Sequence, residues 1–372
     1  MLTSPNRLTI DLGALVHNLG EIQGCIGPDT KIMGIVKSDG YGHGIVQVSK
    51  ALEKNGVYSL GVSFLEEALF LREKRIGIPI VILCGIEREA DAAAVIDNGL
   101  TPVVFDLASA EILERIASKR GKRIKVHVKI DTGMGRLGID CAHALSLLKR
   151  IEGLGSLEIE GLMSHLSSAD EEDSSFTTGQ IQRFRAVVDE SRKMGMELRL
   201  NHLANSAGTV RYPDSHFDMV RPGIMLYGGL PSPDFKTGLD LRPVMGFKSR
   251  ILQIREFEEN TPVSYGRRYY TDGKRKIAIV SAGYADGLPR AISNKGRVII
   301  NDAFAPIRGN LCMNMLACDI TGINGVKAGD ECTIMGRDGD KVITGDEIAG
   351  LSGTISYEIY LSFGKSLERE YI

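Results

Sequence analysis

Lys37 closes the apolar run I-M-G-I-V-K and opens the loop S-D-G-Y-G-H-G, which carries Gly40, Gly42 and Gly44. A lysine at the top of a buried strand loses part of its hydration, which lowers its pKa and frees the amine to form a Schiff base with an aldehyde. The glycines that follow let backbone approach a ligand closely. A lysine snorkelling from a strand end to solvent accounts for the same residue without any chemistry. Farther on, in H-V-K-I-D-T-G-M-G-R-L-G, alternation sets His127, Lys129 and Asp131 on one strand face, with Arg136 in the loop beyond. Inward charges need partners, and Asp131 reads better as part of a structural network than as a catalyst. Arg136 has the planar fork that suits a carboxylate or a cofactor oxygen.

Four further clusters are candidates. His165 follows M-S, where its ring could stack on a flat ligand or be satisfied by ordinary hydrogen bonds. In N-H-L-A-N-S-A-G-T, Asn205 and Ser206 open a short helix, so Ser206 is either an anion contact or a helix cap. The stretch V-R-P-G-I-M-L-Y-G offers Arg221 and the amides of Gly223 and Ile224. Tyr265 in V-S-Y-G, Tyr284 in G-Y-A-D-G and Cys312 with Met313 in G-N-L-C-M-N-M sit at glycine-bordered turns, where tyrosines commonly pack or line interfaces.

Elements must hold these groups in place. Up to about residue 220, eight short runs rich in Val, Ile and Leu alternate with segments of helical periodicity. They are Ile32 to Val36, Tyr58 to Ser63, Pro79 to Cys84, Pro102 to Phe105, Ile124 to Ile130, Leu157 to Met163, Leu198 to His202 and Phe217 to Val220. Strands buried on both faces read as continuous apolar runs, and their alternation with helices implies a parallel sheet. Eight such units close an α/β (β/α)8 TIM barrel, whose chemistry lies in the loops after the strands. The residues following the runs are Lys37, Ser63, Asp106, Asp131 with Arg136, His165, Asn205 with Ser206, and Arg221. From about Leu241 the texture changes to short β-like runs between Gly and Asp turns, so we expect a barrel over residues 1–240 and a C-terminal β domain over 241–372.

Composition narrows the function classes. Lys plus Arg (45) nearly balances Asp plus Glu (47) and no basic run occurs, so no field attracts nucleic acid or a membrane surface, and any anionic ligand must be held locally. The six scattered cysteines form no C-x-x-C pair, which excludes a metal site of that kind and fits reduced thiols. With no apolar signal core and no span of about 20 apolar residues, the expected location is the cytoplasm.

Taken in order, V-K-S-D-G-Y-G-H-G, V-K-I-D-T-G-M-G-R-L-G, H-L-A-N-S-A, R-P-G-I-M-L-Y-G, V-S-Y-G and G-Y-A-D-G resemble the motifs of the alanine racemase family over nearly the whole chain. The resemblance implies a pyridoxal 5'-phosphate enzyme that interconverts L- and D-alanine as a homodimer with composite sites. It implies that Lys37 carries the cofactor and acts as a base on one face of Cα, and that Tyr265 of a neighbouring subunit serves the other face. Tyr41, Ser206, Gly223, Ile224 and Tyr357 match positions holding the cofactor phosphate, with Asn205 beside them. Arg221 matches the residue facing the pyridine nitrogen, His165 one supporting the ring or Tyr265, and Arg136 and the Met313 amide contacts to the substrate carboxylate. Lys129 matches a lysine that carries a carbamate in many relatives. Where the family often has G-R-x-C-M-D this chain has G-N-L-C-M-N, so Asn310 and Asn314 replace a cation and a carboxylate. Alternatives are a racemase of another small amino acid such as serine, a decarboxylase of related fold, which the resemblance would give an acidic residue where Arg221 stands, or a non-catalytic carrier of the same cofactor.

Overall fold

Apolar runs flanked by Gly, Pro and Asp become strands here because a strand buried on both sides must present hydrophobic side chains to both. The computed structural model describes residues 4–364 and 367–372. It places parallel strands at Lys31–Ile35, Ser59–Val62, Ile80–Ile82, Thr101–Val104, Ile124–Asp131, Leu157–Met163 and Met219–Val220. Each pairs with the next in space, in registers such as Met33 opposite Ser59, Val103 opposite His127 and Lys31 opposite Met219. The remaining run, Leu198 to His202, forms no ladder. It meets Leu157–Met163 at a bridge between Met163 and His202, with the Leu200 N–H donating to Glu160 O at 3.1 Å and the His202 N–H to Leu162 O at 2.9 Å. It reaches the last strand through the Asp218 N–H to Asn201 O and Arg221 N–H to Ala204 O bonds, both 3.0 Å, and so closes the barrel.

The helices between strands bury one face each. Leu107–Lys119 turns Ala110, Leu113, Ile116 and Ala117 inward, and the Asp106 carboxylate caps it by accepting the Ser109 N–H at 2.7 Å. Asp106 is therefore a helix cap, although it follows a strand as a site residue would. Leu12–Gln23 precedes the first barrel strand, and its buried Asn18 accepts the Arg242 N–H at 2.7 Å while donating to Leu226 O and Arg242 O. One amide thus ties the start of the barrel to the segment that leaves it.

The second sheet is mostly antiparallel. Its long strand Met245–Phe257 pairs with Glu331–Asp338 through its first half and with Arg275–Val280 through its second. A strand that no apolar run announced, Arg7–Ile10, also pairs with Met245–Phe257, and on its other side with Arg369–Tyr371. Both ends of the described chain therefore meet in the C-terminal sheet. The helices Gly345–Ser352 and Ser356–Gly364 return from that sheet to the barrel mouth. The six cysteines are free, and among the described residues no helix is long and apolar enough to cross a membrane.

Closure at the weakly paired seventh segment depends on close backbone approach. A Cβ at Gly161 would fall inside the van der Waals shell of the Leu200 carbonyl. Gly161→Ala is expected to destabilise the protein by about 1–3 kcal/mol, because the clash is with backbone that cannot rotate away. A thermal unfolding midpoint equal to that of the unchanged protein would show that the seventh segment does not constrain the barrel.

Candidate functional site

The carboxyl ends of the barrel strands surround a cavity of about 400 Å³. Its lining includes Lys37, Tyr41, Lys129, Arg136, His165, Asn205, Ser206, Arg221, Gly223 and Ile224 of the barrel together with Tyr357 of the returning helix, whereas Asp106, His127 and Asp131 lie outside it. Tyr265 and Met313 are not part of it. They lie on the C-terminal domain with 71% and 57% of their surfaces exposed.

The Lys37 loop is an unusual piece of backbone. Ser38, Asp39, Gly40 and Tyr41 all have positive φ, between 53° and 60°, forming a left-handed turn. For the non-glycine members this costs about 1–2 kcal/mol each, so the turn persists only because its surroundings fix it. Glu67 accepts the N–H groups of Ser38 at 2.6 Å and Ser63 at 2.8 Å, and Asp39 accepts the Ile45 N–H at 2.8 Å. Arg369 donates to Gly42 O at 2.9 Å and pairs with Asp39. Gly42 (φ 83°) passes so close to the Tyr360 carbonyl that a Cβ would sit 2.5 Å from its oxygen. The result aims Lys37 into the cavity, where burial first, and the Arg136 guanidinium second, lower its pKa.

At one end the cavity gathers neutral donors. Tyr41 is buried, its ring centroid 5.7 Å from that of Tyr357, and burial holds both phenols well above their ordinary pKa, so both are protonated. The Gly223 N–H donates to Ser206 Oγ at 2.9 Å. A Cβ at Gly223 would come within 2.5 Å of the Tyr41 hydroxyl, so only glycine leaves this cradle open. The helix after the seventh segment is capped by Asn205, whose Oδ1 accepts the Gly208 N–H at 2.9 Å while its Nδ2 donates to Leu166 O at 3.2 Å. The capping role open to Ser206 thus falls to Asn205, and the Ser206 hydroxyl turns to the cradle. Hydroxyls and amides around Gly223 suit an anion bearing several acceptor oxygens.

The other end is cationic. Arg221 is only 4% exposed; it donates to His202 Nδ1 at 2.9 Å, Ser164 O at 2.6 Å, Leu203 O at 3.1 Å and His165 Nδ1 at 3.2 Å. None of these partners is a carboxylate. Burial lowers its pKa to about 9, which still leaves a full cation at neutral pH. Burial, then Arg221, Arg136 and two lysines, push the His165 pKa well down, so that ring is neutral. Lys129, 5% exposed, has its pKa lowered to about 8 by burial, then by Arg221 and Arg136. Asp131 instead accepts the N–H groups of Gly133, Met134 and Gly135, which fixes the loop that presents Arg136 and matches its structural reading.

Two lining residues, Cys84 and Asp170, had no local signal beyond their position after a strand. The tyrosine turn of the second domain is set by Asn310, whose Nδ2 donates to Tyr265 O at 2.7 Å, and by Ser264, which donates to Asn310 O. The Ala285 N–H to Met313 O bond, 2.9 Å, brings the Tyr284 turn into the same cluster.

Comparison with known proteins adds an independent line. The model of the alanine racemase N-terminal domain matches residues 10–231, and that of the alanine racemase C-terminal domain matches residues 244–371. Alanine racemase 2 of Caldanaerobacter subterraneus subsp. tengcongensis is 42% identical over 369 residues, covering 99% of this chain and 95% of that one. The alanine racemase structure from Clostridium difficile 630 superposes with a TM-score of 0.89 at 35% identity, covering 100% of this chain and 97% of the other. That of Bacillus anthracis, solved with bound L-Ala-P, gives 0.87 at 32% identity, covering 100% and 96%. With a folded barrel, a β domain and a cavity built from the expected residues, the chain belongs to the alanine racemase family.

Proposed function

We propose that the chain is an alanine racemase that binds pyridoxal 5'-phosphate and works as a homodimer, Lys37 and the Tyr265 of a second copy handling protons on opposite faces of Cα. The carrying observation is the shared cavity, with an amine of lowered pKa between a cradle of neutral donors and a buried guanidinium. Its volume of about 400 Å³ is adequate for a cofactor with a small amino acid.

Tyr41, Tyr357, Ser206 and the amides of Gly223 and Ile224 would hold the phosphate, the protonated phenols donating to its oxygens, with Asn205 supporting the turn beside them. Lys37 would hold the aldehyde carbon, and Arg221 would face the ring nitrogen with a charge that no nearby carboxylate cancels. When bound, the cofactor supplies an aldehyde and a conjugated ring that delocalises the electron pair left on Cα after proton loss. A cation opposite the ring nitrogen moderates that delocalisation, which favours return of the proton to Cα over its capture elsewhere. The decarboxylase alternative would call for an acid there, and the partners of Arg221 are imidazoles and carbonyls.

Racemisation requires a proton to leave one face and arrive on the other, so two groups are needed. The lowered pKa of Lys37 enlarges its neutral, basic fraction near pH 7. The tyrosines that line the cavity among the described residues, Tyr41 and Tyr357, belong to the cradle of neutral donors, while Tyr265, Tyr284, Met313 and Met315 stand exposed on the second domain. A patch of that kind is what an interface with another copy covers. His165, its Nδ1 already accepting from Arg221, keeps its proton on Nε2 and can donate towards that phenol. Arg136 would take the substrate carboxylate in a bidentate contact, with the Met313 amide beside it. The neutral amine of Lys129 can add to carbon dioxide and lose a proton, giving a carbamate anion that offsets the charges of Arg221 and Arg136.

Three outcomes are expected. Incubation with L-alanine in deuterated water yields D-alanine labelled at Cα; retention of the L-enantiomer without exchange would refute racemisation. Lys37→Ala and Tyr265→Phe each lower turnover by at least ~100-fold, and their mixture regains activity through heterodimers holding one intact composite site; no recovery despite demonstrated subunit exchange contradicts a shared site. For Lys129, a pKa near 8 means that at pH 7.5 its neutral fraction far exceeds that of surface lysines. Its carbamoylation by cyanate, read by mass spectrometry, should therefore rise through about pH 8 while that of surface lysines climbs only above about pH 10; identical profiles would remove the basis for carbamate formation.

A further inference from the structure

Behind Arg221 a file of polar side chains runs through the barrel to its opposite end. Arg221 Nη1 lies 2.9 Å from His202 Nδ1, His202 Nε2 lies 2.8 Å from His127 Nδ1, and His127 Nε2 lies 3.3 Å from Glu160 Oε2. The other oxygen of Glu160 accepts from Lys125, whose side chain is half exposed. His127 and His202 are 1% and 0% exposed, with ring centroids 4.8 Å apart. We propose that Glu160 and His127 are positioning residues for Arg221, acting by fixing the tautomer of His202 so that its Nδ1 lone pair always faces the guanidinium.

The direction of the file follows from donor and acceptor counts. A guanidinium only donates, so His202 Nδ1 carries no proton and Nε2 does. That proton occupies the lone pair of His127 Nδ1, which leaves the His127 proton on Nε2. A carboxylate only accepts, and Glu160 receives it. The two ends impose the same polarity, and moving one proton leaves at least two buried contacts as donor against donor or acceptor against acceptor. Charges agree with this: burial raises the Glu160 pKa, but the bonds from His127 and Lys125 outweigh it and bring the value down to about 2. Burial, then Arg221, keep His202 neutral. The countercharge of Arg221 is thereby held two imidazoles away, near the far end of the barrel, instead of beside the cavity. An ordinary satisfied core network would tolerate either tautomer; this one, bounded by a pure donor and a pure acceptor, does not.

The functional consequence rests on the racemase reading, but the tautomers do not. Long-range proton–nitrogen correlation spectra of protein labelled with ¹⁵N-histidine should show His127 and His202 as neutral Nε2–H forms at neutral pH, with and without added pyridoxal phosphate. An Nδ1–H form or an imidazolium at either residue in the unchanged protein overturns the proposal without recourse to any variant. In Glu160→Met, His202 should populate the Nδ1–H form, and turnover should fall by about tenfold with little change in KM. Glu160→Asp, which keeps the acceptor, should restore both. Unchanged tautomers and turnover in Glu160→Met also overturn it. Failure of the unchanged protein to bind pyridoxal phosphate would sink the racemase reading instead, and would be recognised by missing visible absorbance while the nitrogen spectra still decide the relay.

Discussion

A guanidinium that is charged at neutral pH loses its hydration on burial, so a barrel that buries one must surround it with acceptors. Arg221 is met by two carbonyl oxygens and two imidazole nitrogens, and much of the upper barrel is arranged around that demand. The Ser164 carbonyl comes from the end of the sixth strand, His165 from the loop after it, and His202 from the segment that closes the barrel and bridges to Met163. The same segment carries Asn205 and Ser206 to the cradle, so placing the cation and placing the neutral donors are parts of one structural act. Had the acceptors included a carboxylate, the charge would be cancelled where it faces the cavity.

The electrostatic character of the cavity follows. Its lining holds Lys37, Lys129, Arg136 and Arg221 against the single acid Asp170, in a chain whose net charge is only −2. Burial first, and the neighbouring guanidinium groups second, lower the pKa of the two lysines, which makes them better nucleophiles and bases near neutral pH. That concentration of positive potential favours ligands that carry anionic groups. The strain of the left-handed turn at Ser38 to Tyr41 is sustained by Glu67, Asp39 and Arg369, the last from the C-terminal strand. The β domain therefore shapes the cavity within its own chain, besides presenting Tyr265 outward.

Much of this was legible in the residues. Seven apolar runs became parallel strands because burial on both faces leaves a mark that needs no partner to be read. Lys37, Arg136, His165, Ser206 and Arg221 stood out because each follows such a run. Asp106 follows one too and only caps a helix, since capping and catalysis draw on the same residue types at the same place. The strand Arg7–Ile10 carries only two buried side chains, Leu8 and Ile10, too short an alternation to mark a strand by itself, and its pairing with Met245–Phe257 and Arg369–Tyr371 joins residues more than two hundred positions apart. The left-handed turn was hidden for a different reason: three of its members are not the residue that such backbone favours, and tertiary contacts enforce it. The partnership of His202 with Arg221 and His127 was equally invisible, because it joins three strands and depends on which ring nitrogen holds the proton.

The central claim is that an uncancelled buried cation, held by neutral acceptors, governs what the cavity does with a bound pyridoxal group. It is tested most directly by loading the protein with cofactor labelled with ¹⁵N in the ring and recording the nitrogen shift of the bound form. The account predicts the shift of an unprotonated pyridine nitrogen, accepting from Arg221, across the neutral pH range. The shift of a protonated pyridinium would contradict it, because Arg221 could not then face that nitrogen as a donor.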